Sequence, residues 1–122
     1  QYYRRALALY RGEYLPEARY EDWSATEAER LSMTYLTVMT EVAALLLQRG
    51  EFEEARALCY RVLAKDSCWE EAYNLLIEIY LKEGNRSAAL RTYQRCVRSL
   101  RERFGVAPSP RTAALFTHPT KL

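Results

Sequence analysis

Histidine occurs once in this sequence, as His118 near one end, and that scarcity removes most hydrolytic and metal chemistry. A zinc site, a Ser-His-Asp triad and a Cys-His dyad would each rest on that single side chain. Cysteine is nearly as sparse: Cys59, Cys68 and Cys96 are odd in number and fit no paired metal-ligand spacing. Cys59 and Cys96 fall on inward helical positions, where a free thiol packs as a small apolar group. The four glycines are scattered singly, so no glycine-rich loop exists to cradle a phosphate. The longest apolar run, residues 42–47, is too short to cross a bilayer, and the opening residues lack the basic, apolar and small-residue order of a signal peptide. No catalytic constellation, metal or cofactor is expected, the chain reads as not an enzyme, and a cytoplasmic location with no membrane partner follows by default.

What is present suits a soluble helical protein. The 122 residues are enough for one domain that buries roughly two thirds of its unfolded surface. The chain opens at Gln1, without a methionine and already inside a helical pattern, so it reads as a piece of a longer protein. Net charge is only +2, but it is unevenly spread. Residues 1–81 hold nine Lys or Arg against fourteen Asp or Glu, a balance of −5, whereas residues 82–122 hold nine against two, a balance of +7.

The middle of the chain is one pattern written twice. Gly50 and Gly84 are 34 residues apart, as are Ala55 and Ala89, Cys59 and Tyr93, Val62 and Cys96, Val42 and Leu76, and Leu46 and Tyr80. In each copy a run of apolar residues at helical spacing stops at the glycine, which can take the left-handed conformation that ends a helix. The alanine five residues later lets the second helix approach the first. Only Leu47 and Leu81, the glycines, the alanines, and Arg61 and Arg95 are identical between copies. Period, glycine and alanine together resemble the tetratricopeptide repeat. The fold expected is all-α, with stacked antiparallel helix hairpins and about six helices.

In chain order, Tyr3, Leu7, Tyr10 and Tyr14 mark a first helix that Gly12 ends, and residues 12–22, with Pro16, form a connection. Ser24 with Glu27 offers a capping box to a helix running from about residue 23 to 49, apolar on two sides and so in need of two neighbours. A third helix spans residues 52–65, with Phe52, Ala55, Leu58 or Cys59, and Val62 inward. Asp66 or Ser67 can cap the next helix, over 69–83, and Ser67 with Glu70 makes a second capping box. The next, 87–104, turns Leu90, Tyr93, Val97, Leu100 and Phe104 inward and ends at Gly105. Residues 106–108 are extended because the residue before a proline avoids the helical region. Ser109 caps a last short helix with Pro110 in its first turn. The domain is expected to occupy residues 1–116, with 117–122 a frayed tail.

Two surfaces stand out as candidate contacts. Arg91, Arg95 and Arg98 lie at i, i+4 and i+7, opposite Leu90, Val97 and Leu100. They form either a solvated face or an electropositive docking strip for an acidic protein surface or phosphates. No stacking aromatics interleave with them and the last helix lacks base-reading residues, so direct sequence-specific DNA reading is not expected. Thr37, Thr40, Glu71, Asn74 and Glu78 fall on the side that lines the groove in tetratricopeptide repeats. Repeats that clamp a carboxylate terminus use lysine, asparagine and arginine there, and the two glutamates argue against such a ligand. Trp69, at the junction of the copies, either anchors an interface in the groove or packs over the inter-repeat turn.

Four stretches together are similar to a more specific family. They are residues 6–15 (ALALYRGEYL), Trp23 followed by Glu29-Arg30-Leu31, the repeat pair, and Phe104-Gly105-Val106-Ala107-Pro108-Ser109-Pro110 with Leu115 beyond. They resemble the bacterial transcriptional activator domain of the Streptomyces antibiotic regulatory protein family and related regulators, over about residues 3–116. The resemblance implies an all-helical interaction module that follows a winged helix-turn-helix DNA-binding domain. Its implied partners are proteins: RNA polymerase, a second copy in a homodimer, or regulatory domains. DNA would be met only through a separate domain. A DNA-binding domain is absent from these residues, and 117–122 do not continue the amphipathic last helix the family tends to have. The alternative reading is a generic tetratricopeptide scaffold or adaptor with a peptide in its groove.

Overall fold

The computed structural model describes residues 25–116. The expected first helix with Tyr3, Leu7, Tyr10 and Tyr14, the Gly12–Pro16 connection, Trp23, the Ser24 half of the first capping box, His118 and the expected tail lie outside the described residues. Among the described residues five helices follow one another: α1 (Ala25–Gln48), α2 (Phe52–Lys65), α3 (Glu70–Lys82), α4 (Arg86–Phe104) and α5 (Pro110–Ala114). Among the described residues there is no strand. The all-helical class and the paired hairpins agree with the reading of the sequence.

The two glycines of the repeat do the same work twice. Gly50 (φ 79°) and Gly84 (φ 78°) both take the left-handed conformation. After α1, the Glu51 N–H reaches Leu46 O at 2.9 Å and the Gly50 N–H reaches Leu47 O at 3.0 Å. After α3, the Asn85 N–H reaches Tyr80 O at 2.8 Å and the Gly84 N–H reaches Leu81 O at 3.0 Å. Both are the Schellman arrangement, which satisfies carbonyls a helix end would otherwise leave open. Each turn reverses the chain within a few residues, so α1 packs on α2 and α3 on α4. α3 also lies against both α2 and α1, which joins the hairpins into one stack. Ala55 and Ala89 are fully buried where the helices of each pair cross. Met39, Val62, Tyr73, Leu76, Ile79 and Cys96 complete a common core.

Three local expectations are corrected. The Ser67–Glu70 capping box does not form: Trp69 holds the cap position of α3 with no side-chain bond, and the Glu70 carboxylate is drawn away to the chain after α4. Asp66 Oδ1 instead accepts the Cys68 N–H at 3.0 Å, bending the chain ahead of α3. α4 starts at Arg86 under Asn85, whose Oδ1 accepts the Ala88 N–H, one residue earlier than Ser87. Finally, the buried stripe of α4 is Ala88, Ala89, Thr92, Cys96 and Leu100, while Leu90 is 39% and Phe104 59% exposed. Close helix crossing selects small side chains, so the larger residues one step round the helix are left on its flank.

α1 is long and apolar enough to cross a membrane by length and composition. Its apolar residues Leu36, Val38, Met39, Val42, Ala43 and Leu47 are spent on the core instead. This is the position of a core helix.

Candidate functional site

The chain after α4 returns to the first turns of α3, where the sequence places the groove residues Glu71 and Asn74. Residues 106–109 cross to α3, and α5 lies against its exposed flank. The Ser109 N–H donates to Glu70 Oε2 at 2.7 Å. Thr112 is fully buried, with its hydroxyl set between Glu70 Oε2 and Asn74 Oδ1, the latter at 2.6 Å. The Thr112 hydroxyl carries one proton, which these two acceptors share, while the Asn74 NH2 points to Glu71 Oε1 at 3.4 Å. Arg111 forms a two-point ion pair with Glu71, its Nη2 lying 3.3 Å from Oε2. Beyond α5, Phe116 meets Tyr93 edge to face with centroids 5.5 Å apart, and Arg86 covers the other ring face.

These contacts set the local electrostatics. Partial burial pushes the Glu70 carboxyl up, but the bonds from Thr112 and Ser109 and the nearby charge of Arg111 outweigh it and hold the group below its ordinary value. The Arg111 guanidinium is held charged, chiefly by its bond to Glu71, with Glu78 and Glu70 adding to the field. Carboxylates on the groove wall thus meet a cation from the same chain.

Of the groove residues read from the sequence, two contact this segment directly and Thr37, Thr40 and Trp69 are engaged elsewhere. Glu71 and Asn74 are engaged with α5 and Asn74 is buried; Glu78 is half-buried nearby. Thr40 is buried, and its hydroxyl donates to Leu36 O at 2.6 Å while accepting the Trp69 Nε1–H at 2.9 Å. Trp69 is half-buried against the core and pins the start of α3 to α1, which favours packing over the inter-repeat turn. Thr37 is exposed, with its hydroxyl turned back to Met33 O. Much of the α3 wall is therefore occupied by the molecule itself.

The arginines of α4 are placed differently. Arg91, Arg95 and Arg98 are all exposed on α4, and none forms an ion pair among the described residues. Arg56, Arg103 and Arg111, by contrast, are paired with Glu83, Asp66 and Glu71. The Arg95 guanidinium lies 5.9 Å over the Tyr73 ring. Arg91 and Arg95 are brought together in one cleft, and Arg98 lies outside it. Sequence reasoning missed Glu70, Arg111 and Thr112 on the groove side, and Tyr60 and Tyr80 beside the arginines. A short helix starting at Ser109-Pro110 is readable, though the Ser109 side chain makes no cap bond to it, and nothing in its pattern says where it docks.

Burial pushes the Cys59 and Cys96 thiols up to about 12, so neither supplies a thiolate near neutral pH. Cys68 is half-buried and donates to Ser99 O at 3.3 Å. Among the described residues no three His, Cys, Asp or Glu side chains gather to hold a metal ion. In comparisons with known proteins, the family described as bacterial transcriptional activator domain matches residues 1–118. No curated protein and no solved structure matches the chain.

Proposed function

Since this chain belongs to the bacterial transcriptional activator domain family, we propose that it is a non-enzymatic protein–protein interaction module of a cytoplasmic transcriptional regulator, acting through the arginine face of α4. The observation that carries this reading is a contrast: Arg91, Arg95 and Arg98 are exposed and without carboxylate partners, while the groove wall already holds α5. Uncompensated surface charge of one sign steers an oppositely charged partner and sets its orientation more than it adds raw affinity. Acidic surfaces on RNA polymerase, on a second copy of the chain or on a regulatory domain are suitable partners. DNA contact is left to a separate domain. A groove-bound peptide is the weaker reading, because it would have to displace or share the wall with α5.

The test is charge reversal of all three arginines, R91E/R95E/R98E, in a full-length regulator carrying this domain. Association with polymerase or with itself, followed by pull-down and sedimentation, should weaken by at least about tenfold, equivalent to about 1.4 kcal/mol. The loss should be greatest at low salt, where steering is strongest. Unchanged association at every ionic strength would remove α4 from the reading.

A further inference from the structure

Between α2, α3 and α4 lies a cleft of about 320 Å³, lined by Tyr60, Tyr80, Ala88, Arg91, Thr92 and Arg95. No carboxylate lines it. Each neighbouring polar group can be assigned. The Thr92 hydroxyl donates to Ala88 O at 2.8 Å and is spent within its own helix. Arg56 lies 5.4 Å over the Tyr80 ring without lining the cleft, and its guanidinium is committed to Glu83 at 2.8 Å and Glu53 at 3.4 Å. That leaves the Arg91 and Arg95 forks, whose stems stand one helical turn apart, about 6 Å at the Cβ atoms. It also leaves the Tyr60 and Tyr80 hydroxyls, 2.8 Å from each other. One proton joins that pair and the other is free to be donated. Burial, then the bond to Tyr80, pushes the Tyr60 hydroxyl up to about 12, so Tyr60 keeps its proton at neutral pH.

We propose that this cleft binds the dianionic phosphoryl group of a phosphomonoester, gripped by Arg91 and Arg95 and capped by the Tyr60–Tyr80 hydroxyl pair. Two uncompensated guanidinium charges match two negative charges. The two planar forks and one phenolic O–H supply enough donors for three peripheral oxygens. A carboxylate brings one charge and two oxygens and would occupy one fork only. A nucleic-acid phosphodiester also brings one charge, and two of its four oxygens are esterified. The stacking of Arg95 over Tyr73 holds one fork in place before the ligand arrives, which lowers the ordering cost of binding. The inference deepens the docking-face reading and rests on it for the role of Arg91 and Arg95, adding a ligand class and two tyrosines.

Calorimetric titration of the 122-residue chain with inorganic phosphate and with O-phosphoserine, at pH 7.5 in chloride, tests it. Saturable binding is expected, with R91Q and R95Q each weakening it at least about tenfold, the size of a lost charge-assisted bond. Y60F/Y80F, checked for unchanged thermal unfolding, should weaken it a few-fold, and R98Q should leave it intact. Tighter binding of O-phosphoserine would identify a phosphorylated side chain as the source, and tighter binding of inorganic phosphate the free ion. The proposal is overturned if R98Q weakens binding as much as R91Q, if dimethyl phosphate or an acidic peptide binds equally well, or if no saturable binding occurs. Loss of partner association on R98E with phosphate binding intact supports both readings. Failure of phosphate to bind while R91E/R95E/R98E still breaks association removes the cleft alone. The reverse result removes the docking face alone.

Discussion

Thr112 carries more of this structure than a five-residue helix would suggest. Its hydroxyl is buried between a carboxylate and an amide, and a valine of nearly the same shape leaves both without that partner. A buried polar group stripped of its partner costs about 1–3 kcal/mol. Thr112→Val should therefore lower the unfolding free energy by that amount, read as a lower urea midpoint with the slope of the transition unchanged. The same site has a pH signature. The folded state holds Glu70 below its ordinary value, so its contribution is fully present above the unfolded value and is lost as pH falls through the folded one. Protection of the Ser109 amide from hydrogen exchange should decline on acidification below about pH 4.5 and decline less steeply in Glu70→Gln. An acid-independent Ser109 amide would contradict the assigned bond.

At the scale of the helix, the turns make a matched pair that can be tested as one. A Cβ added at Gly50 or Gly84 meets nothing within 4 Å, so substitution there strains only the backbone. Gly50→Ala and Gly84→Ala should each cost about 1–2 kcal/mol, the penalty of a left-handed L-residue, and the double variant should cost about their sum. Thermal melts of the three variants decide this, and a markedly unequal pair would mean that the two hairpins are not equivalent. This much was legible in the sequence, because a helix end is written locally and the 34-residue period repeats it. The inward face of α4 was misread for a physical reason. Large apolar residues were taken as the buried ones, whereas the crossing with α3 selects Ala89, Thr92 and Cys96 and leaves Leu90 on the flank. The docking of α5 was not legible at all. It joins residues 38 to 42 positions apart through single polar bonds, which leave no periodic trace. Of the candidate site, the arginines were readable because charge on a helix face needs no tertiary knowledge, and Tyr60 and Tyr80 were not, since they come from two other helices.

For the molecule as a whole, Cys59 on α2 and Cys96 on α4 sit in one continuous core. Neither can meet a reagent without the stack opening, so both should be alkylated together, at rates set by global unfolding. Cys68, only half-buried, should react earlier; mass spectrometry resolved by peptide separates the three. Labelling of Cys96 well ahead of Cys59 would mean that the second hairpin detaches on its own. The occupied groove has a consequence for anyone who would silence such a regulator. A decoy peptide aimed at the hollow meets a tethered rival, joined to α4 by a few residues and present at an effective concentration on the order of millimolar. A competing peptide must outbid that guest or go round it.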